Sequence, residues 1–198
     1  MKFCSACGSP VTVRIPDDGD HLPRHVCTAC NTIHYINPKV IVGVVPEASD
    51  GRVLMCRRNI EPRKGMWTFP AGFMELGETT GQGAAREGLE ESGATIEILD
   101  LLCVITVTYV SQIYVIHRGW LPDGEGFGPT SESSEVRLMR EDEIPWGEIA
   151  FPTIYQSLQF FFADRRAGVR SIHALDLTRR PGKAAQSEIT SWLAEVKG

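Results

Sequence analysis

Three glutamates, Glu87, Glu90 and Glu91, occur together in a stretch whose composition predicts a helix. Residues three and four apart on a helix share a face, so the three carboxylates are expected to converge. Like charges arranged this way destabilise a helix unless a cation neutralises them. Carboxylate oxygens suit Mg²⁺ or Mn²⁺, which complete their coordination with water and phosphate oxygens. The spacing therefore predicts a divalent-metal site that acts on a phosphate compound.

The residues around this cluster strengthen the prediction. Arg86 stands four residues before Glu90, where it can orient a carboxylate. The glycine-rich turn from Gly72 to Gly77 is expected to bring Glu78 back to the same face. The alternative, a solvated acidic helix face, leaves these glycines and the arginine unexplained.

Four cysteines form a second group with chemical potential. Cys4 and Cys7 are one C-x2-C pair, and Cys27 and Cys30 are another, with 19 residues between the pairs. This spacing predicts a zinc ribbon, in which four thiolates leave no open coordination position and the metal is structural. Four reduced cysteines, or two disulfides, are the alternatives. The histidines of this segment are interpreted as surface or partly packed residues: His21, His25 and His34.

Composition narrows the functional classes. The chain has 198 residues and a net charge of −5, which disfavours non-specific binding of nucleic acid. Residues 1–36 carry no net charge, so a ribbon that grips phosphates is the less favoured hypothesis. No apolar run approaches the roughly 18 residues of a membrane span, and no apolar leader follows Met1. A cytoplasmic location with reduced cysteines is therefore expected.

The surrounding elements must position the glutamates. Two apolar runs joined by Asp50-Gly51 predict a hairpin, and helices are expected over 79–92 and 152–163, the second ending at Gly168. Further strands are expected over 94–107, 109–121 and 136–140, with another possible helix beginning at Ser187. This irregular alternation favours an α/β (α+β) fold in which helices flank a mixed sheet.

The segment from Gly72 to Ala94 resembles the Nudix box, written G-x5-E-x7-R-E-U-x-E-E-x-G-U with U a bulky apolar residue. Every fixed position matches, whereas the two U positions hold Gly88 and Ala94. The similarity covers about residues 38–163 and implies a Nudix-type α/β/α sandwich. It also implies metal binding by three residues, Glu87, Glu90 and Glu91, and supporting roles for two others, Glu78 and Arg86.

In this family, metal-activated water attacks one phosphorus of a nucleoside diphosphate linked to another group. The general base is often a glutamate, in the box or in a later loop. Glu135 is the candidate carried forward here, and Glu132 in the same Ser131-Glu-Ser-Ser-Glu135 segment is the alternative.

A zinc ribbon before a Nudix domain resembles two groups, the NADH pyrophosphatases and a group of FAD or ADP-ribose pyrophosphatases. The first group carries S-Q-P-W-P-F-P-x-S after the box, and this chain does not. Five segments resemble the second group: Phe3-Cys-x-x-Cys-Gly8, Ile36-Asn-Pro-Lys39, Arg57-Arg-Asn-Ile60, Gly65-Met-Trp-Thr68 and Asp142-Glu-Ile-Pro145. This similarity implies FAD or ADP-ribose as substrate, giving AMP plus FMN or ribose 5-phosphate. The alternatives are NADH pyrophosphatase or NAD-capped RNA hydrolase activity, and a non-catalytic nucleotide-sensing module.

Recognition of such a nucleotide would need cations and an aromatic surface. Arg57 and Arg58 are candidates for phosphate, Trp67 for stacking on adenine or flavin, and Gly72 for bordering the substrate. Nucleic-acid and membrane partners are not expected, and a homodimer is common in the family. The predicted domains are a zinc ribbon (1–36), a Nudix hydrolase domain (37–166) and a C-terminal extension (167–198).

Overall fold

The computed structural model describes residues 1–124 and 126–178. The chain divides into two compact units, Met1–Pro38 and Lys39–Gly198, each described by itself below. The helix predicted from Ser187 lies outside the described residues.

The first unit is a small three-stranded antiparallel sheet. Its strands are β1 (Val11–Arg14), β2 (Arg24–Cys27) and β3 (Ile33–His34), with β2 in the middle. Its buried apolar side chains are few, Val26 among them, and two of the four cysteines, Cys4 and Cys27, are buried beside it. So small a core leaves the cysteines as the main source of cohesion.

The second unit is built on a mixed sheet. The strands and helices of this unit are β4 (Lys39–Glu47), β5 (Val53–Arg58), β6 (Trp67–Thr68), β7 (Ala71–Phe73), α1 (Thr80–Ser92), β8 (Glu97–Val107), β9 (Gln112–Trp120), β10 (Ser133–Met139), α2 (Pro152–Ala167) and β11 (His173–Leu177). The main path of the sheet runs β10-β5-β4-β9-β8-β11. Strand β4 is parallel to β9 and β8 is parallel to β11, and the other neighbours are antiparallel.

The two faces of this sheet carry separate apolar clusters. Strand β5 shows the alternation, since Val53 and Met55 belong to one cluster and Leu54 and Cys56 to the other. Helix α2 covers the first cluster with four residues: Ile154, Leu158, Phe161 and Phe162. Helix α1 covers the second face with Ala84. The predicted sandwich with a mixed sheet is thereby confirmed.

The predicted hairpin of β4 and β5 exists, but the two strands pair at only one position, Glu47 with Val53. Beyond it, two short strands insert. Strand β6 pairs with β5 at Cys56–Thr68, and β7 pairs with β4 at Ile41–Phe73. The insertion places β7 beside the centre of the sheet, directly before the predicted metal-binding segment.

Helix α1 matches the helix predicted over 79–92. Thr79 is its N-cap and forms a capping box with Gln82, and Gly93 closes it with φ of 74°. A Cβ at Gly88 would lie 2.7 Å from Cδ1 of Ile96, so a larger residue there would require the Ile96 side chain to move. Gly88, which departs from the box pattern, therefore lies directly against Ile96.

The last strand, β11, was not predicted. It pairs in parallel with β8 along its whole length, and a cluster of charges also holds its first residues. Asp164, near the end of α2, forms an ion pair with Arg118. Oδ1 of Asp164 also lies 3.0 Å from Nε2 of His173. The His173 ring stacks on Phe160 at 4.2 Å between centroids, and Arg118 also bonds to Asp100 at 2.6 Å. A short strand fixed mainly by distant partners leaves little local pattern to read.

In the described part of the chain, neither helix has the length and apolarity needed to span a membrane.

Candidate active site

Helix α1 gathers its glutamates around Arg86. Nη1 of Arg86 donates to Oε1 of Glu87 at 2.8 Å and to Oε2 of Glu90 at 2.9 Å. Both carboxylates thus accept a hydrogen bond from the same nitrogen and share the positive charge of Arg86. The shared face predicted from their spacing accounts for this arrangement.

The same guanidinium ties the preceding loop to the helix. Its Nε and Nη2 bond to the two carboxylate oxygens of Glu78 at 3.1 and 2.9 Å, and Nη2 also bonds to the carbonyl of Phe73 at 3.0 Å. Hydrogen bonding to Glu78 raises the pKa of Arg86, and Arg86 in turn lowers the pKa of Glu78. The turn that was expected to return Glu78 to the helix therefore does so through Arg86.

Gly72 lies against the carboxylate of Glu87. A Cβ added at Gly72 would sit 2.4 Å from the Glu87 carboxyl carbon and from both of its oxygens. No other residue fits unless Glu87 moves. Gly72 therefore borders a candidate metal ligand.

Glu87 and Glu91 are buried, whereas Glu90 is exposed. Oε2 of Glu91 accepts a hydrogen bond from the backbone N–H of Ala71 at 3.1 Å. Burial nevertheless raises the pKa of Glu91 to about 8, and burial also raises the pKa of Glu87. For both carboxylates the cost of burial outweighs the nearby positive charge, which comes from Arg86 at Glu87 and from Arg58 at Glu91.

The donor set suits a hard divalent cation. Mg²⁺ and Mn²⁺ prefer oxygen ligands. Their positive charge would also stabilise the ionised form of buried carboxylates whose pKa values are raised. Among the described residues, the cysteines are the only group of three or more potential ligands whose donor atoms all lie within 4.8 Å of one another. The three glutamates therefore do not converge to that distance. Glu90 is instead held by Arg86, and Glu91 by Ala71.

The two glutamates proposed as general base lie in different surroundings. The carboxylate of Glu135 is paired with Arg137 and lies 3.7 Å from Nη1 of Arg57. Glu132 is half-buried, and none of the described cations forms an ion pair with it. Its negative charge helps to raise the pKa of both Glu87 and Glu91. Of these two glutamates, Glu132 is therefore the one whose charge acts on the box carboxylates.

The candidate substrate contacts also separate. Arg58 is buried, donates from Nε to the carbonyl of Pro62 at 2.9 Å, and lowers the pKa of Glu91. Arg57 is exposed and donates from Nε to the carbonyl of Gly65 at 2.9 Å. Of the two arginines, Arg58 is the one that acts on a box glutamate.

Trp67 is 5% exposed and belongs to the apolar core, which leaves little ring surface for a stacked base. Phe73, which was not singled out from the sequence, is 52% exposed, with Nζ of Lys39 5.1 Å from its ring centre. Its carbonyl is bonded to Arg86. Alternation along β7, with Gly72 facing Glu87 and its neighbour facing solvent, is the signal that could have identified it.

The cysteine cluster fits a tetrahedral zinc ion. All four Sγ atoms lie within 4.8 Å of one another, with 3.7 Å from Cys4 to Cys30 and 3.5 Å from Cys7 to Cys27. Zn–S bonds of about 2.3 Å give tetrahedral S···S edges of about 3.8 Å. The hydroxyl of Thr32, 3.1 Å from the Cys30 sulfur, lowers the pKa of that thiol to about 6, which favours the thiolate that binds metal. All four cysteines are free thiols in this structure, and none is joined to another by a disulfide bond.

Comparison with known proteins identifies relatives for both units. Residues 2–36 match the model of the Nudix N-terminal zinc ribbon, and residues 37–157 match that of the NUDIX domain. The NAD-capped RNA hydrolase NudC of Salmonella typhi is 30% identical over 146 residues, covering 73% of this chain and 53% of that protein. The chain thus spans about half the length of the curated relatives it matches.

Two solved structures extend the comparison. A NUDIX hydrolase from Nitrosomonas europaea superposes with a TM-score of 0.86 at 50% identity, covering 90% of this chain and all of that one. An ADP-ribose pyrophosphatase from Streptococcus suis has a TM-score of 0.55 at 16% identity, covering 71% of this chain and all of that one, which shows a shared fold alone.

Proposed function

The chain belongs to the Nudix family, and from this premise we propose that it is a metal-dependent pyrophosphatase acting on a nucleoside diphosphate linked to another group. One observation carries the proposal: Glu87, Glu90 and Glu78 surround the single guanidinium of Arg86, with Glu91 buried beside them. Such a group of acids beside a diphosphate requires positive charge.

Glu87, Glu90 and Glu91 would hold Mg²⁺ or Mn²⁺. A divalent cation, when bound, supplies the charge that acidifies a water molecule and polarises a phosphoryl oxygen. Arg86 orients two of the ligands and fixes Glu78, and Gly72 keeps the backbone close to Glu87. These residues therefore build the site before any substrate enters.

Glu132 is the general base in this proposal. Its carboxylate is not paired with a described cation and acts on the box carboxylates, whereas Glu135 is paired with two arginines. Glu132 accepts the proton of the attacking water, the new O–P bond forms at one phosphorus, and the second phosphate departs with the bridging oxygen. Arg58 is the favoured phosphate contact.

FAD or ADP-ribose is the first candidate substrate. Two sequence features support it: the motifs shared with the FAD or ADP-ribose pyrophosphatase group, and the absence of S-Q-P-W-P-F-P-x-S after the box. Hydrolysis would give AMP plus FMN or ribose 5-phosphate. In this proposal Phe73 takes the stacking role first assigned to Trp67.

NADH or NAD-capped RNA is the second candidate. Its support is the 30% identity to NAD-capped RNA hydrolases, and it makes nucleic acid a possible partner. The ribbon would then contribute to RNA binding, although residues 1–36 carry no net charge. Capped RNA engagement would weaken steeply as salt increases, whereas hydrolysis of a free dinucleotide would change far less.

A substrate panel tests both candidates. FAD, ADP-ribose, NADH and NAD-capped RNA are each incubated with Mg²⁺ or Mn²⁺ at matched salt, and products are identified by mass. The proposal predicts metal-dependent cleavage of at least one of them. The products would be AMP plus FMN or ribose 5-phosphate for the first candidate, and for the second either AMP plus reduced nicotinamide mononucleotide from NADH or nicotinamide mononucleotide plus 5′-monophosphate RNA from capped RNA. Absence of metal-dependent hydrolysis across the panel would favour the nucleotide-sensing alternative.

We also propose that Cys4, Cys7, Cys27 and Cys30 bind structural Zn²⁺, and that residues 1–36 and 37–166 act as ribbon and catalytic domain. A homodimer is the expected assembly, and light scattering at several concentrations tests it.

A further inference from the structure

We infer that Thr130 and Asn59 are positioning residues that hold the backbone of Glu132 against the helix carrying the box glutamates. This inference rests on the proposed function, because it concerns the residue to which that function assigns proton transfer. It adds two side chains that lie outside the box and that its pattern does not predict.

The hydroxyl of Thr130 joins two segments. Its Oγ1 accepts hydrogen bonds from the backbone N–H groups of Glu132 and Ser133, each at 3.2 Å, and donates to the carbonyl of Glu91 at 3.4 Å. A hydroxyl can donate once and accept twice, so these three bonds use its full capacity. The turn before β10 is therefore fastened to the end of α1 through one side chain.

Asn59 holds the same turn from the opposite side. Its Nδ2 donates to the carbonyl of Ser131 at 3.1 Å, and its backbone N–H donates to the carbonyl of Glu132 at 2.7 Å. Asn59 directly follows β5, so these bonds connect the turn to the sheet. The Thr130 side chain thus holds the N–H of Glu132, and the backbone of Asn59 holds its carbonyl. The Asn59 side chain holds the preceding Ser131, which is the contact that a substitution of Asn59 removes.

The consequence concerns where the Glu132 carboxylate can reach. With both backbone groups fixed, only the side-chain rotations remain free, and the carboxylate stays within electrostatic range of Glu87 and Glu91. A displacement of about 1 Å at a reacting group reduces rates by up to about 100-fold. Loosening the turn should therefore slow the chemical step with little effect on substrate binding.

The test compares four variants by kcat and KM with a substrate identified in the panel. Thr130→Val removes the hydroxyl at nearly constant volume and is expected to lower kcat about tenfold with KM changed less than about threefold. Thr130→Ser keeps the hydroxyl and should restore kcat. Asn59→Ala should lower kcat by a smaller factor. Ser134→Ala is the matched control, because its hydroxyl bonds to the Arg57 carbonyl on the same pair of strands without reaching the turn.

A double-mutant cycle separates positioning from general damage. If Thr130 and Asn59 act through Glu132, then adding Thr130→Val or Asn59→Ala to Glu132→Gln lowers kcat no further. Additive losses would overturn the inference, as would wild-type kcat in Thr130→Val or Asn59→Ala. Thermal melting checks the fold of each protein, and the Asn59 cycle decides the matter if Thr130→Val does not fold.

Failure of this inference differs from failure of the proposed function. A wild-type protein that hydrolyses no pyrophosphate contradicts the function itself. An active wild type in which Glu132→Gln retains full kcat contradicts the assignment of Glu132 as general base and, with it, this inference. An active wild type in which Glu132→Gln is impaired but the cycle is additive contradicts only the assignment of these positioning residues.

Discussion

The chain contains two metal-site candidates that are assembled in opposite ways. In the first unit, Cys4, Cys7, Cys27 and Cys30 already place their sulfur atoms within 4.8 Å of one another. In the second, the box glutamates are divided between the guanidinium of Arg86 and the N–H of Ala71. In a structural metal site, protein side chains fill every coordination position of the metal. In a reactive site, some coordination positions remain for water and substrate.

Charge explains the difference. Four thiolates suffice for zinc and leave nothing to react. The carboxylates include two buried groups whose pKa values are raised despite the nearby arginines, so a further cation would stabilise their ionised forms. In the function proposed here, the cysteine site is closed and the glutamate site is completed by cation and substrate.

The largest expected effect breaks the reactive site alone. Glu90→Gln removes a carboxylate that contacts Arg86 at 2.9 Å while preserving its shape. We expect kcat to fall about 100-fold or more because charge stabilisation of the transition state is lost. Steady-state kinetics measure this, and circular dichroism should show an unchanged fold. Glu75→Gln, an exposed residue of the preceding loop, is the matched control, and equal activity of both variants would contradict the metal assignment.

Removing zinc should affect only the first unit. The small core of residues 1–36 cannot compensate for the loss of four metal–sulfur bonds, so the ribbon should lose its protection from proteolysis. Hydrolysis of a free dinucleotide should keep kcat within about twofold. A chelated ribbon that stays protected would show that zinc does not hold this unit together.

Glu91 makes the stability of the second unit depend on pH. Its pKa is raised from 4.5 to about 8, so the folded chain binds this proton more tightly than the unfolded chain. Its stabilising contribution is complete below pH 4.5 and is lost as pH rises through about 8. In metal-free protein we expect a loss of about 2–4 kcal/mol in unfolding free energy across this range.

Urea unfolding at several pH values measures this slope. Glu91→Gln should flatten it, because the amide does not titrate, and Glu75→Gln should leave it unchanged. Saturating Mg²⁺ should also reduce it by stabilising the ionised carboxylate. An identical slope in wild type and Glu91→Gln would assign the pH dependence to other groups.

The smallest effect concerns the substrate rather than the metal. Phe73→Leu should raise KM for FAD about three- to tenfold, because a stacked ring contributes roughly 1 kcal/mol beyond its burial. The fully exposed Leu76, changed to alanine, serves as the control in the same loop. Steady-state kinetics on both variants measure this, and an unchanged KM in Phe73→Leu would remove Phe73 from the recognition surface.

The sequence predicted what is encoded locally. The capping box of Thr79 and Gln82, the closing Gly93 and the spacing of Glu87 to Glu91 all act within a few residues, and α1 follows from them. The cysteine cluster follows in the same way, because each pair forms one turn and only their meeting is non-local.

The remaining features depend on partners far apart in the chain. Strand β11 depends on Asp164 and Arg118, and the insertion of β6 and β7 between the hairpin strands depends on pairing across the sheet. The sequence could not decide whether Glu132 or Glu135 is the better candidate for the general base, because both lie in one short segment. The ion pairs of Glu135 with Arg57 and Arg137 distinguish the two residues, and these appear only in the folded chain. Burial of Trp67 and exposure of Phe73 likewise arise from packing.

The most direct test is a Mn²⁺ titration of zinc-loaded protein, followed by the electron paramagnetic resonance signal of free Mn²⁺, with wild type, Glu87→Gln and Glu75→Gln compared. We predict that wild type and Glu75→Gln bind Mn²⁺ equally, and that Glu87→Gln binds at least about tenfold more weakly. Equal binding by all three proteins would show that the cation lies elsewhere than among the glutamates of α1.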